Sequence, residues 1–264
     1  MAIITISRGS YSRGKEVAEK LAQDLGYQCL SRDILLEASE RFNIPEIKLV
    51  RAIHDAPSIF ERFTYGKEPY VASIRAALLR QVQKDNVVYH GLAGHFLLKG
   101  IPHILKVRII ASMEDRVKEE MKREKISAEE ARRILQKDDE DRRKWSKHLY
   151  GIDTADPSLY DLVIHIQCMT VDDAVEVIKC ALKGPCFQSD SETQKLIDEK
   201  SLAARVEAAL IQEIPSVEVE VKEGEVIIYL KKAQFENEEL MNRVKRLTAN
   251  IVGFKGKITC LMRP

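Results

Sequence analysis

Apolar, β-branched runs recur along the first two-thirds of the chain, and each is separated from the next by enough residues for a helix. "AIITIS" is the first, "NVVYHGLAG" carries the second into a glycine turn, "HILKVRIIAS" is the third and "LYDLVIHIQ" the fourth. Strands spaced by helical stretches form βαβ units and a mainly parallel sheet. After the first run, "KEVAEKLAQDLGY" places Val17, Leu21 and Leu25 at helical spacing, with Gly26 as a stop; after the last, "TVDDAVEVIKCALKG" reads as a closing amphipathic helix. Residues 32–85 read as several helices interrupted near Pro45, Pro57 and Pro69. The expectation is an α/β fold: a parallel sheet with helices on both faces.

The pattern changes at "KGPCFQSDSETQ", where Gly184 and Pro185 break the preceding helix and polar residues follow. Beyond it come a helix, "TQKLIDEKSLAARVEAALIQEI", and a hairpin, "VEVEVKEGEVIIYLK", turning at Glu223-Gly224. A second helix, "ENEELMNRVKRLTANI", and a strand, "GKITCLM", complete the chain. The expected division is a domain over 1–183, a linker over 184–191 and a small α+β domain over 192–264. This last module contains no cluster of catalytic-type residues and reads as a binding or assembly domain, for a protein or a small ligand.

Composition narrows the function. A formal net charge of +1 gives no global reason to expect nucleic acid as a partner, and no apolar run reaches the roughly 18–20 residues of a membrane span. The chain enters a strand directly, without a basic region and cleavable apolar segment, so a cytoplasmic protein is expected. The five cysteines form no C-x-x-C pair and read as reduced, buried side chains. His90 and His95 do not share a helix face, and no metal site built on protein ligands is expected.

The first strand leads into a loop of phosphate-binding outline. Gly9, Gly14 and Lys15 match G-x-x-x-x-G-K, but Glu16 stands where a Ser or Thr hydroxyl would reach Mg²⁺. Such a loop presents backbone N–H groups at a helix N-terminus, where the dipole favours an anion. Lys15 would reach β- and γ-phosphates, with Arg8 and Arg13 adding charge, and Glu16 would bind Mg²⁺ or cap the helix. The bland alternative is a tight strand-to-helix turn with a surface lysine. A charge-dense block, 113–150, reads either as solvated helices laced with ion pairs or as an arginine-bearing lid. Ser127 with Glu130 marks a capping box there.

"ITISRGSYSRGKEVAEKLAQDLGY", "VVYHGLAGHFLLKGIPHILKVRIIASMEDRV" and "DDEDRRKWSKHLYGIDTADPSLYDLVIHI" together resemble, in order and spacing, the cytidylate kinase-like branch of the P-loop nucleoside monophosphate kinases, over about residues 1–183. The resemblance implies a P-loop three-layer sheet and ATP- and Mg²⁺-dependent phosphorylation of a nucleoside monophosphate. It also implies that Gly9, Ser10, Ser12, Gly14 and Lys15 hold donor phosphates, and that Arg132, Asp139, Arg142 and Arg143 belong to a closing lid. Arg116 matches an arginine frequent in the family. Arg32, Asp33 and Gly91 fall where substrate is bound. Departures are also plain: Tyr11 and Arg13 replace small residues, Leu92 replaces a phosphate-gripping arginine after the second strand, and Ser31 replaces an aspartate. The C-terminal module resembles a BON-type domain. Two expectations follow, an active nucleoside monophosphate kinase or a degenerate nucleotide-binding sensor or adaptor acting through the C-terminal domain.

Overall fold

The first expected strand is β1, Ile3–Arg8, and its first four residues are buried. The computed structural model describes residues 2–10, 12–31, 33–42, 68–91, 94–211, 213–215, 217–251 and 256–263. The described residues fall into two units. The first comprises those up to 33 and those of 84–189; the second comprises 34–42, 68–83 and 190–263.

In the first unit β1 is the middle strand of a five-stranded sheet of order β2-β3-β1-β4-β5, formed with β2 (Gln28–Leu30), β3 (Val87–His90), β4 (Ile104–Ala111) and β5 (Leu162–Ile166). Every pairing is parallel, and Ile3 stands opposite both Val87 and Ile104. Helices cover both faces, as a parallel sheet requires. On one face, α1 (Gly14–Leu25) sends Val17, Ala18 and Leu21 into a core with Ile4, Ile6, Leu105, Val107 and Ile109. A second helix joins the same core through Val175 and Ile178; it is Val171–Ala181, numbered α7 in chain order. On the other face the short α4 (Gly94–Leu97) lies so close that a Cβ on Gly94 would stand 2.6 Å from Tyr89 and 3.4 Å from Thr5.

The charge-dense block forms two helices, α5 (Met113–Glu124) and α6 (Ala128–Tyr150). Val117, Ala131 and Leu135 form a small core between them. Ser127 Oγ accepts from the Glu130 N–H at 3.2 Å, which is the cap expected for α6.

The second unit contains α2 (Asp33–Phe42, from Ile34 on), α3 (Glu68–Val82) and α8 (Ser191–Leu210). Its sheet has the order β6-β7-β8, from Glu218–Lys222, Glu225–Leu230 and Ile258–Met262. β6 and β7 run antiparallel about the turn at Glu223 and Gly224, both at positive φ (51° and 79°), as a type I′ hairpin demands. β8 joins β7 in parallel after the short α9 (Lys232–Phe235) and α10 (Glu238–Ala249). α8 is held to α3 by Gln83, which accepts from Ser201 Oγ at 2.9 Å and donates to Asp198 at 2.8 Å, and by Arg75 with Glu207 at 3.3 Å. Pro69 stands in the first turn of α3, where its missing N–H costs no helix bond. The expected interruptions at Pro45 and Pro57 lie outside the described residues. Three short elements, β2, α4 and α9, add to the expected set. Among the described residues no helix is long and apolar enough to cross a membrane.

Candidate functional site

Strand order places the end of β1 between the ends of β3 and β4, and parallel α/β sheets bind ligands in the crevice beyond their strand C-termini. A cavity of about 490 Å³ lies there, lined by the end of β1, Gly91 after β3, the end of β4, and residues of α5, α6 and the 153–155 turn. The volume is within the range of small-ligand sites, roughly 300–1,000 Å³. Among the described residues five arginines line it: Arg8, Arg108, Arg116, Arg142 and Arg143. Three carboxylates, Asp139, Glu140 and Asp153, share the wall. This surplus of guanidinium groups suits a ligand with several anionic oxygens.

Much of the cluster is held by hydrogen bonds within the protein. Arg116 is buried and meets Asp139 with two parallel bonds of 2.7 and 2.9 Å, while its Nε donates to the Ser10 carbonyl at 2.7 Å. Arg142 donates to Ser10 Oγ at 2.6 Å and to the Arg8 carbonyl at 3.3 Å. Ser10 Oγ in turn donates to Asp138 at 2.9 Å. The loop after β1 is thus tied to α5 and α6 through one buried serine. Ser12 is also buried and bonds back to the Gly9 carbonyl at 3.1 Å, tightening the turn. Gly9 lies 3.5 Å, at its Cβ position, from the Arg116 guanidinium carbon.

Opposite the loop, Arg108 of β4 donates to the Thr154 carbonyl and, at 3.3 Å, to Tyr160 Oη. Tyr160 Oη donates to the Thr154 carbonyl at 3.0 Å and accepts from Ser7 Oγ at 3.2 Å. Burial raises the Tyr160 phenol, partly offset by the Ser7 bond and Arg108. His95 lies 5.0 Å from the Tyr160 ring; burial first, then Arg108 and Lys106, push its pKa down to about 4, so it is neutral near pH 7. Asp153 accepts from the Ala155 N–H, and that bond holds it below the usual carboxylate range.

Of the residues singled out in the sequence, the structure brings Arg8, Gly9, Ser12, Gly91, Arg116, Asp139, Arg142 and Arg143 to the cavity wall, with Ser10 directly behind. Gly14 begins α1 against Arg8. Four others face outward. Arg13, the left-handed N-cap at φ 62°, pairs with Glu16 at 2.8 Å. Lys15 is 62% exposed and lies 3.5 Å from Glu19, and Arg132 reaches Glu114 at 3.2 Å on the surface. Asp33 opens α2; Arg32, Tyr11 and Leu92 lie outside the described residues. Arg108, His95 and Tyr160 are the additions. An arginine in the C-terminal half of a mostly apolar strand, which also carries Lys106, is the signal by which Arg108 could have been found.

A family model described as the cytidylate kinase-like family matches residues 3–167. A cytidylate kinase of Methanopyrus kandleri is 32% identical over 108 residues, which are 38% of this chain and 56% of that protein, so the alignment spans little more than half of that relative. A cytidylate kinase of Pyrococcus horikoshii is 31% identical over 198 residues, 73% of this chain and 95% of that one. Among solved structures, an uncharacterized protein from Eubacterium ventriosum has a TM-score of 0.53 at 20% identity, covering 70% of this chain and 99% of that one, which is a likeness of fold.

Proposed function

The chain belongs to the cytidylate kinase-like family, and from that premise we propose that it transfers the γ-phosphoryl group of ATP to a nucleoside monophosphate of the cytidylate type. The observation that carries this reading is the convergence of Arg8, Arg108, Arg116, Arg142 and Arg143 on one cavity beside the β1–α1 loop. In the reaction an acceptor phosphate oxygen bonds the γ-phosphorus as the β–γ bridge breaks, leaving ADP and a nucleoside diphosphate. Charge spreads over the transferred oxygens, and fixed guanidinium groups stabilise it without reorganising. Arg142 and Arg143 ride on α6, the element suited to close over the donor. Arg116, held by Asp139 and the Ser10 carbonyl, fixes the loop for it. Mg²⁺ would neutralise donor oxygens, arriving with the triphosphate and meeting Asp153 or Glu140 rather than a protein cage.

The outward course of Lys15 favours a second reading, a nucleotide-binding sensor without turnover. In either case the order α8-β6-β7-α10-β8, which is the C-terminal part of the second unit with the short α9 inserted, supports a BON-like binding or assembly module. Purified protein incubated with ATP, Mg²⁺ and a panel of nucleoside monophosphates separates the two, with ADP and diphosphate formation followed. Turnover of one acceptor that falls about a thousandfold or more in Arg142→Gln is the expected result. Nucleotide binding with no turnover across the panel would establish the sensor instead.

A further inference from the structure

Alternation along the strands gives the cavity two sides. Val107 and Ile109 of β4 enter the core shared with α1, so Arg108 between them is sent to the opposite face of the sheet. Ser7, its register partner on β1, follows Ile6 of the same core and lies on the face of Arg108. The N-terminus of α1 and its loop therefore belong to one side, and Ser7, Arg108, His95 and Tyr160 to the other.

On that second side a closed set of hydrogen bonds fixes Arg108. Its Nη1 donates to the Thr154 carbonyl and to Tyr160 Oη, while the phenol donates to the same carbonyl and accepts from Ser7 Oγ. Tyr160 is anchored through its neighbour: the Asp161 N–H donates to the Lys106 carbonyl, and the Lys106 N–H donates to Asp161 Oδ2, each at 2.8 Å. Both bonds of the Arg108 guanidinium leave from Nη1, so Nε and Nη2 are spare donors on a side chain that lines the cavity. Those two nitrogens form the edge by which a guanidinium meets two oxygens of one phosphate. Among the described residues Arg108 has no carboxylate partner, whereas Arg116 meets Asp139 in a fork. Its charge is held by neutral oxygens alone, which suits it to an incoming anion.

Resting on the phosphotransfer reading above, we propose that Arg108 grips the phosphate of the acceptor nucleotide and that Tyr160 is the positioning residue that aims it. The acceptor oxygen must approach the γ-phosphorus in line with the leaving bridge. A phosphate on Arg108 stands across the sheet end from the loop and helix N-terminus that suit the donor. Its mount is rigid, because β4 pairs with β1 on one side and β5 on the other.

The test is calorimetric titration of CMP and, separately, of ATP into wild type, Arg108→Gln, Arg108→Lys and Tyr160→Phe. Arg108→Gln is expected to weaken CMP about ten- to a hundredfold, the span of one charged hydrogen-bonded contact, and to keep ATP within about threefold of wild type. Arg108→Lys, with the charge but without the fork, should fall between. Tyr160→Phe keeps the ring and loses the phenol; it should weaken CMP about three- to tenfold and leave ATP unchanged. Should Arg108→Gln fail to fold by circular dichroism, Arg108→Lys and Tyr160→Phe carry the test. ATP weakened as much as CMP would overturn the proposal, since it would make the network merely structural or assign the arginine to the donor. CMP bound as tightly by the Arg108 variants as by wild type would also overturn it, with the phosphotransfer reading left standing. Wild type that does not bind CMP would refute that reading and this assignment together.

Discussion

His95 shows how a single side chain reports on the cavity. Its ring is held between Phe96 and Tyr160, and burial together with Arg108 and Lys106 keeps its folded pKa near 4, against 6.5 in the unfolded chain. Between those values the unfolded state binds the proton and the folded state does not, so stability falls as pH drops from about 6.5 towards 4 and is unaffected above. His95→Gln should flatten that part of the acid limb. Urea denaturation of both proteins at pH 7 and pH 4.5 checks this, and an unchanged difference between the two pH values would place the acid sensitivity elsewhere. At this scale the sequence was partly legible. Gly9, Ser12 and Gly14 stood out because a phosphate loop has a fixed local spacing. Arg108, His95 and Tyr160 come from three separated elements, and the parallel pairing of β1 with β3 and β4, and of β4 with β5, brings them together, Arg108 and His95 on the cavity wall and Tyr160 against both. Lys15 illustrates the reverse: spacing identified a lysine, and the structure shows its ammonium 3.5 Å from Glu19 on the surface.

The helices α5 and α6 act as a unit because their shared core is small and their polar fastening is strong. Val117, Ala131 and Leu135, with Met113, Met121 and Ile126 packed against them, form the apolar contact, and the paired bonds from Arg116 to Asp139 add a directional one that fixes the register. Asp139→Asn removes the carboxylate's charge from a buried guanidinium and should cost about 1.5–3 kcal/mol. Thermal melting should shift downward, and limited proteolysis should cut within α6 sooner than in wild type. Equal cleavage rates would show that the apolar contacts suffice. Caps and turns were readable beforehand for a physical reason: Ser127 at α6 and the Glu223-Gly224 turn satisfy local backbone demands that neighbours cannot change. β2 was not, since its three residues, with exposed Gln28 and half-buried Cys29, form a strand only because β3 offers an unpaired edge.

At the scale of the whole chain, the second unit is discontinuous. α8 has buried residues around much of its circumference, among them Ile197, Ser201, Ala204 and Val206, because β6 covers one side and α3 another. A fragment beginning at Asp190 leaves the α3 side open. It should melt less cooperatively than the full chain and bind a hydrophobic dye such as ANS, with circular dichroism and dye fluorescence as the measurements. A sharp melt without dye binding would show that α8 and the small sheet stand alone. The linker composition around residues 184–191 gave no hint of this arrangement, because a boundary in composition marks where the chain turns, and says nothing about which earlier helix returns to it. The same feature sets a timetable for synthesis. α3 leaves the ribosome roughly a hundred residues before its partner α8, and loop closure over that span is slow compared with local helix formation. Throughout that interval the parallel sheet can be assembling while α3 waits, a finished helix without its mate. A pause in translation, or a chaperone bound to α3, would therefore delay the C-terminal unit while leaving the arginine-lined cavity free to form.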